Sequence, residues 1–341
     1  GMGWALLGAG LLLALYTLLR HGLRRAPPPP ARPTLRGRTV IVTGGSGGIG
    51  AATALELAWC GARVVLAARS VPRGEAAARR IRTETGNTEV RFMQLDLASL
   101  RSVRAFASTF LRQEPHLHLL INNAGERRDP PSHPPPLHPW DTQPSAAIAS
   151  FAGVSAGGTT EDGFSLPFGV NHLGHFLLTQ LLLERLQSCA PSRIVIVASR
   201  AHCAGRLHPD TLGRPPPGPF STFQDYCDSK LANVLHAREL ATRLQGTQVT
   251  CYAVHPGFVN TEFFRHTPLW LKPFFLPLVW LFFLDAAEGA RTTLHCALRE
   301  GLERFSGRYF ADCRLQEPWP IARDDRLARA LWEASERLVG L

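Results

Sequence analysis

Lysine is nearly absent from this sequence. Of its 37 basic residues only two are lysines, Lys230 and Lys272, and the others are arginines. Lys230 follows Tyr226, one of only four tyrosines, by four positions in the stretch YCDSK. Composition alone would place a Lys four residues after any Tyr in about two per cent of such chains. We therefore expect position 230 to need a compact ammonium that a planar guanidinium cannot replace.

Paired cysteines and basic runs are also lacking. The seven cysteines show no CxxC pair and no Cys/His ligand spacing, which argues against a disulfide framework and a zinc site. No metal is therefore expected, and a reducing, cytosol-facing location fits. The formal charge of +10 comes from dispersed arginines without interleaved aromatics, so nucleic acid is not expected as a partner.

The first segment of the chain lacks charge. Residues 2–19 form an uncharged run of 18 residues, the lower limit for a membrane-spanning helix, and arginines follow at once. A cleaved signal peptide is the rival interpretation, but no basic region precedes the run. We predict a membrane anchor at 2–19 and an Arg/Pro-rich linker at 20–34, with a cytosolic body. The endoplasmic reticulum is the expected membrane, and mitochondrial and lipid-droplet membranes stay open.

Buried strands and helices alternate through the rest of the chain. The pattern predicts one doubly wound parallel sheet in a domain at 35–320, followed by a C-terminal helix at 321–341. The expected strands are the apolar, β-branched runs at 39–43, 62–68, 90–95, 117–121, 193–198 and 249–254.

Two segments depart from this alternation. Residues 126–158 are rich in Pro, Gly, Ser and Ala without periodicity, which indicates a long loop: a solvated insertion or a mis-spliced exon, with a functional lid as the alternative. Residues 258–284 contain a strongly apolar, aromatic stretch interrupted by prolines and Lys272. We predict that this segment covers a substrate and contacts the bilayer surface, with a core helix as the alternative.

A glycine-rich turn joins the first strand to a helix. The stretch TGGSGGIG at 43–50 lets the backbone approach a pyrophosphate at the helix N-terminus. The second strand is followed directly by Arg69, with Arg73 nearby, where an NAD site usually has a carboxylate. NADP(H) is therefore the expected cofactor, although Arg69 could be merely solvated. Asp96 could bind the adenine ring or cap the helix that begins near Ser99.

Tyr226 and Lys230 lie on one face of a predicted helix. A phenol with a pKa near 10 is a poor acid or base at neutral pH. A nearby ammonium stabilises the phenolate, so we expect Lys230 to lower the pKa of Tyr226 and make it a catalytic acid/base. An exposed pair on a helix surface is the alternative interpretation.

With these motifs in hand, the chain resembles the short-chain dehydrogenase/reductase superfamily over residues 35–309, and within it the retinol-dehydrogenase branch. The resemblance implies an α/β fold with a single Rossmann-type doubly wound parallel sheet and helices on both faces, preceded here by the anchor. The motifs that carry it are TGGSGGIG, Asp96, NNAG (122–125), VNHLGHF (170–176), VASRAH (197–202), YCDSK and HPGFVNT (255–261).

Roles follow from the resemblance, position by position. It implies that Tyr226 is the acid/base, that Lys230 lowers its pKa and holds the nicotinamide ribose, that Ser199 binds the substrate oxygen, and that Asn171 holds a relay water. The cofactor residues that it implies are Thr43, Gly44, Ser46, Gly48, Ile49, Gly50, Arg69, Asp96, Leu97, Asn122, Asn123, Ala124, Gly125, Tyr226, Lys230, Pro256, Gly257, Val259 and Thr261.

Two functions are compatible with these residues. The first is a membrane-anchored NADP(H)-dependent oxidoreductase that moves a hydride between NADPH and a lipophilic carbonyl or alcohol of retinal/retinol type. The second is a cofactor-binding membrane protein with little turnover, acting as a scaffold or redox-responsive partner. Two departures from the family pattern motivate the second, namely Glu126, which opens the insertion after NNAG, and Arg200 after Ser199. A homodimer stays open.

Overall fold

The computed structural model describes residues 33–125, 158–215, 221–257 and 285–341. Several sequence predictions lie outside these ranges, namely the anchor at 2–19, most of the linker at 20–34, the insertion after residue 125, and residues 258–284 with Val259 and Thr261. Among the described residues, no helix has the length and apolarity needed to cross a membrane.

A twisted sheet forms the centre of the molecule, with strand order β3-β2-β1-β4-β5-β6-β7-β8 across its described part. Neighbouring strands run parallel from β3 to β7, and β8 is antiparallel to β7. The strands are β1 (Thr39–Thr43), β2 (Arg63–Ala68), β3 (Val90–Gln94), β4 (Leu119–Asn122), β5 (Ser192–Val197), β6 (Val249–His255), β7 (Tyr309–Ala311) and β8 (Arg314–Gln316).

Both faces of the sheet are covered by helices, which explains why the central strands read as continuous apolar runs. One core lies between the sheet and α3, α4, α5 and α7, and the other lies between the sheet and α1, α2 and α6. The helices are α1 (Gly48–Trp59), α2 (Val71–Thr85), α3 (Leu100–Gln113), α4 (Gly174–Ser188), α5 (Ser221–Arg243), α6 (Ala286–Leu298) and α7 (Asp325–Val339).

Short turns complete the described fold. A helical turn at Leu166–Phe168 and a π-helical turn at Gly169–Leu173 lead directly into α4. The 3₁₀ turns lie at Arg200–Ala204, Pro209–Thr211, Glu303–Phe305 and Pro320–Arg323.

The Rossmann-like α/β architecture is confirmed, with one correction to the sheet. All six expected strands are present, but β7 and β8 were not predicted, and β8 breaks the purely parallel pattern. Each has only three residues, too few for a periodicity to show. They are joined through Asp312 and Cys313, which have positive φ angles of 51° and 57°. Because glycine usually occupies such positions, the turn could not be recognised from a glycine in the sequence.

The edge strands of the described sheet are short and carry arginine. At one edge β3 has five residues and exposes Arg91, and at the other β8 has three residues and exposes Arg314. Between β1 and β4 the strand order reverses direction along the chain. Ligands of open α/β sheets bind at the carboxyl ends of the strands beside such a reversal. The carboxyl edge near β1 and β4 is therefore the place to look for a site.

Candidate active site

The glycine-rich turn lies between β1 and α1. Gly44 and Gly48 have φ angles of +67° and +53°, which other residues rarely adopt. A Cβ on Gly50 would lie 2.4 Å from the Gly44 carbonyl oxygen, so only glycine lets the helix pack this closely. No side chain caps α1 at Gly47, and its first amides can therefore receive an anion. These features fit the pyrophosphate of a dinucleotide.

Thr43 ties this turn to the NNAG loop that follows β4. Its Oγ1 accepts hydrogen bonds from the backbone N–H groups of Asn123 and Ala124, both at 2.9 Å. The Asn123 side chain returns a bond from Nδ2 to the Thr43 carbonyl oxygen, also at 2.9 Å. Behind the loop, Asn122 Nδ2 donates to Thr179 Oγ1 at 2.9 Å. The two loops therefore form one rigid wall of the cleft.

The ends of β2 and β3 place the predicted cofactor-selecting residues at the same edge. Arg69 follows β2 directly and is exposed, as is Arg73 in the first turn of α2. Asp96 follows β3, and its Oδ1 accepts from the Ala98 N–H at 3.0 Å. The alternative role of Asp96 as a helix cap needs correction, because Ser99 is itself the N-cap of α3. Leu97 is buried beside Asp96.

Ser199, Tyr226 and Lys230 converge where α5 passes the end of β5. Ser199 lies two residues beyond β5, and its side chain interacts with that of Tyr226 so as to lower the pKa of the phenol. Lys230 lies one helical turn after Tyr226, and its Nζ is 5.6 Å from the centre of the tyrosine ring. The same Nζ donates to the Val197 carbonyl oxygen at 3.2 Å. The helical i, i+4 spacing therefore brings the ammonium to the tyrosine, as the sequence indicated.

Burial controls the proton affinities of this pair. It lowers the pKa of Lys230 to about 8. It also raises the pKa of Tyr226, and the interaction with Ser199 only partly opposes this shift. Lys230 was expected to lower the pKa of Tyr226, but in this structure desolvation raises that pKa, and the group that opposes the rise is Ser199. Tyr226 is thus a protonated phenol at neutral pH, poised to give a proton.

Asn171 supports the same group from a second helix. It is fully buried in the π-helical turn before α4, a local distortion often found at functional sites. Its Nδ2 donates to Ser229 Oγ at 2.9 Å, and Ser229 Oγ donates to the Tyr226 carbonyl oxygen at 2.7 Å. A Cβ on Gly125 would lie 3.6 Å from Asn171 Oδ1. Asn171 therefore lies between the NNAG loop and the tyrosine helix.

The remaining predicted positions are spread along the same edge. Ser46 and Ile49 lie in the glycine-rich turn, and Pro256 and Gly257 follow β6 directly, with a φ of +86° at Gly257. In the described ranges, His, Cys, Asp and Glu side chains form no cluster of three or more that could hold a metal.

Four further polar residues border the site and were not singled out from the sequence. Ser229 and Asn233 lie on α5, and Asn233 Nδ2 donates to the Val197 carbonyl at 3.1 Å, the same carbonyl that Lys230 contacts.

The other two are histidines. His202 Nδ1 donates to the Ser199 carbonyl at 2.7 Å, and His202 Nε2 accepts from the Trp319 N–H at 3.2 Å. His175 contacts both Thr43 and Asn171. Its i, i+4 spacing from Asn171 was a signal that could have identified it.

This geometry agrees with comparisons to known proteins. The sequence profile described as short chain dehydrogenase matches residues 38–209. The chain belongs to this family, and it is an oxidoreductase of the class that acts on CH–OH and C=O groups.

Among its relatives are dehydrogenase/reductase SDR family member 13 and retinol dehydrogenase 12, both of Homo sapiens. The first is 54% identical over 98% of this chain and 82% of its own length, and the second is 46% identical over 90% and 88%. A solved structure from Mycobacterium paratuberculosis, described as a putative uncharacterized protein, is 34% identical with a TM-score of 0.66, covering 90% of this chain and 95% of its own. The resemblance to the retinol-dehydrogenase branch is confirmed.

Proposed function

We propose that this protein is a membrane-anchored, NADP(H)-dependent oxidoreductase that transfers a hydride between NADPH and a lipophilic carbonyl or alcohol of retinal/retinol type. The observation that carries the proposal is the convergence of Ser199, Tyr226 and Lys230 after β5, in the same parallel sheet whose β1 leads into the glycine-rich turn. The relatives named retinol dehydrogenase support the substrate class.

The choice of NADP(H) rests on the charge at the carboxyl end of β2. An acidic side chain there would accept from the ribose 2′-hydroxyl of NAD, but the strand ends in alanines followed by the exposed Arg69. A guanidinium suits a 2′-phosphate because it can donate two parallel hydrogen bonds. Arg73, in the first turn of α2, adds a second positive charge four residues after Arg69.

The chain's own residues would manage the proton. NADPH, when bound, supplies the hydride. Ser199 holds the substrate oxygen, and Tyr226, kept protonated by burial, gives its proton to the alkoxide that develops there. Lys230 then stabilises the phenolate that remains, since its ammonium lies 5.6 Å from the ring centre. Asn171 and Ser229 fix the backbone that carries Tyr226.

The test is NADPH oxidation, followed by absorbance, on detergent-purified full-length protein given all-trans-retinal. We expect turnover with NADPH and less with NADH, and a loss of more than about 10²-fold in kcat for Tyr226→Phe with NADPH affinity nearly unchanged.

The matched control is Tyr252→Phe. This change removes the same hydroxyl from another tyrosine. Tyr252 is fully buried, but it packs in the core on the face of the sheet opposite to α5. This variant should keep its activity. Full activity in Tyr226→Phe would refute the mechanism. NADPH binding without turnover on retinal, other lipid aldehydes or steroids would favour the scaffold alternative.

Membrane anchoring rests on the uncharged run at 2–19 and the arginines after it. The catalytic domain would then face the cytosol, with the endoplasmic reticulum as the proposed membrane. Alkaline carbonate extraction of cell membranes tests this. The full chain should stay in the pellet and a chain without residues 2–19 should be released; release of both would exclude the anchor.

A further inference from the structure

His175 is a buried histidine whose two ring nitrogens contact two different parts of the site. It lies in the first turn of α4 and is 1% exposed. Its Nδ1 is 3.1 Å from the carbonyl oxygen of Asn171, and its Nε2 is 2.8 Å from Oγ1 of Thr43. One ring therefore spans from the π-helical turn to the wall of the cofactor cleft.

The partners decide where the ring proton lies. A carbonyl oxygen can only accept a hydrogen bond, so Nδ1 must carry the proton and donate to Asn171. Burial lowers the pKa of His175 to about 4, so the ring is neutral at physiological pH and Nε2 carries no proton. Nε2 must then accept from the Thr43 hydroxyl.

The contacts of Thr43 lead independently to the same direction. Its hydroxyl has one proton and two lone pairs. Both lone pairs are used by the N–H groups of Asn123 and Ala124 at 2.9 Å. The proton can go to His175 Nε2 at 2.8 Å or to the Ile121 carbonyl at 3.3 Å, and the shorter bond is to His175. The donors therefore follow one direction. The NNAG amides donate to Thr43, Thr43 donates to His175, and His175 donates to the Asn171 carbonyl.

We propose that His175 is a positioning residue, which orients the Thr43 hydroxyl so that the NNAG loop is held in its cofactor-binding conformation and is coupled to the Asn171 turn behind Tyr226. This inference rests on the proposed function, since it takes the cleft beside Asn123 to hold NADPH. It assigns His175 no contact with substrate or cofactor; it acts through Thr43 and Asn171.

A neighbouring histidine separates this role from a merely structural one. His172 is equally buried, in the π-helical turn just before α4, but its Nε2 contacts Ser335 Oγ on α7 at 2.9 Å. Replacing either histidine removes a buried hydrogen bond and should lower the melting temperature. Only the replacement of His175 releases the loop that lines the proposed cofactor site.

The test compares His175→Phe with His172→Phe in the full-length protein, by melting temperature, by NADPH titration followed through protein fluorescence, and by kcat. We expect both melting temperatures to fall. His175→Phe should raise the Kd for NADPH about tenfold and lower kcat, whereas His172→Phe should leave the Kd near that of the wild type. Equal Kd values in the two variants would overturn the inference.

Two conservative variants keep the test decisive if His175→Phe does not fold. Glutamine at 175 can place an acceptor near the position of Nε2, and asparagine can place a donor near that of Nδ1. His175→Gln should therefore restore the Kd for NADPH to within about threefold of wild type, and His175→Asn should not. Similar Kd values in both would overturn the inference. If the wild type does not bind NADPH, the proposed function itself fails and the inference with it.

Discussion

The two edges of the sheet both bury polar side chains, but they use them differently. At the amino edge, the carboxylate of Glu114 is 1% exposed and is bound by Arg63 Nε at 2.6 Å and by Arg91 at 3.4 Å, and Arg63 also pairs with Glu89. Each buried charge there meets an opposite charge. These ion pairs therefore connect the end of α3 with β2 and β3.

At the carboxyl edge the ammonium of Lys230 is 5% exposed, and hydroxyls, amides and neutral histidines lie in this part of the molecule together with the buried carboxyls of Asp225 and Asp228 on α5. Lys230 donates to a backbone carbonyl. Burial disfavours its charged form and lowers its pKa to about 8. A charge held in this way costs stability. The two edges therefore differ in how they hold a buried charge. Glu114 is paired with arginines, whereas Lys230 contacts a backbone carbonyl and has a lowered pKa, which suits a residue of the proposed active site.

The largest expected effect is on stability at the amino edge. Glu114→Gln removes the charge that Arg63 and Arg91 face, so we expect the free energy of unfolding to fall by about 2 to 3 kcal/mol in urea denaturation. NADPH affinity should not change. Glu317→Gln is the control, because its pair with Arg323 is exposed at 3.5 Å and should contribute less than about 0.5 kcal/mol. Equal effects of the two would contradict the contrast between the edges.

A smaller effect is expected from pH at the carboxyl edge. Lys230 should lose its proton as pH rises through about 8, so kcat/KM for carbonyl reduction should fall about tenfold between pH 7 and 9. Lys230→Arg keeps its charge and should show low activity with no such limb, as measured by pH–rate profiles. If the fall in kcat/KM above pH 8 persists in Lys230→Arg, the titrating group is not Lys230.

The stability of the protein should change in the opposite direction to its activity as pH rises above about 8. The pKa of Lys230 is about 8 when folded and 10.5 in its ordinary state, so the unfolded chain binds more protons between these values. The contribution of Lys230 to the free energy of unfolding therefore rises from pH 8 to 10.5. Denaturation of the wild type and Lys230→Met across this range measures the difference. Parallel curves for the two proteins would show that burial of Lys230 carries no such cost.

Much of the fold and site could be predicted because the signals are local. The spacing of Tyr226 and Lys230 fixes a shared helix face, and the glycines at 43–50 are needed by the backbone itself. The six apolar runs identify strands buried on both faces. Each of these features depends on a few neighbouring residues, which the sequence displays directly.

The rest depends on distant contacts. The raised pKa of Tyr226 comes from burial by other elements, whereas the sequence shows only the nearby lysine. The N-cap of α3 is Ser99, whose hydroxyl accepts from the Ser102 N–H, and not Asp96, which lies three residues earlier. His175 was visible within VNHLGHF, but its partner Thr43 is 132 positions away along the chain. Such pairings become evident only when β1 and α4 are placed side by side.

The edge strands have a consequence for how the protein behaves in a crowded solution. A sheet edge offers unpaired N–H and C=O groups to any other extended chain, and this is a common route to aggregation. In the described part of the sheet the edge strands have five and three residues and carry the exposed arginines Arg91 and Arg314, and short, charged edge strands discourage pairing with another chain. With a formal charge of +10, the molecule resists adding further strands from its neighbours. We therefore expect it to tolerate high local concentration without forming intermolecular sheets.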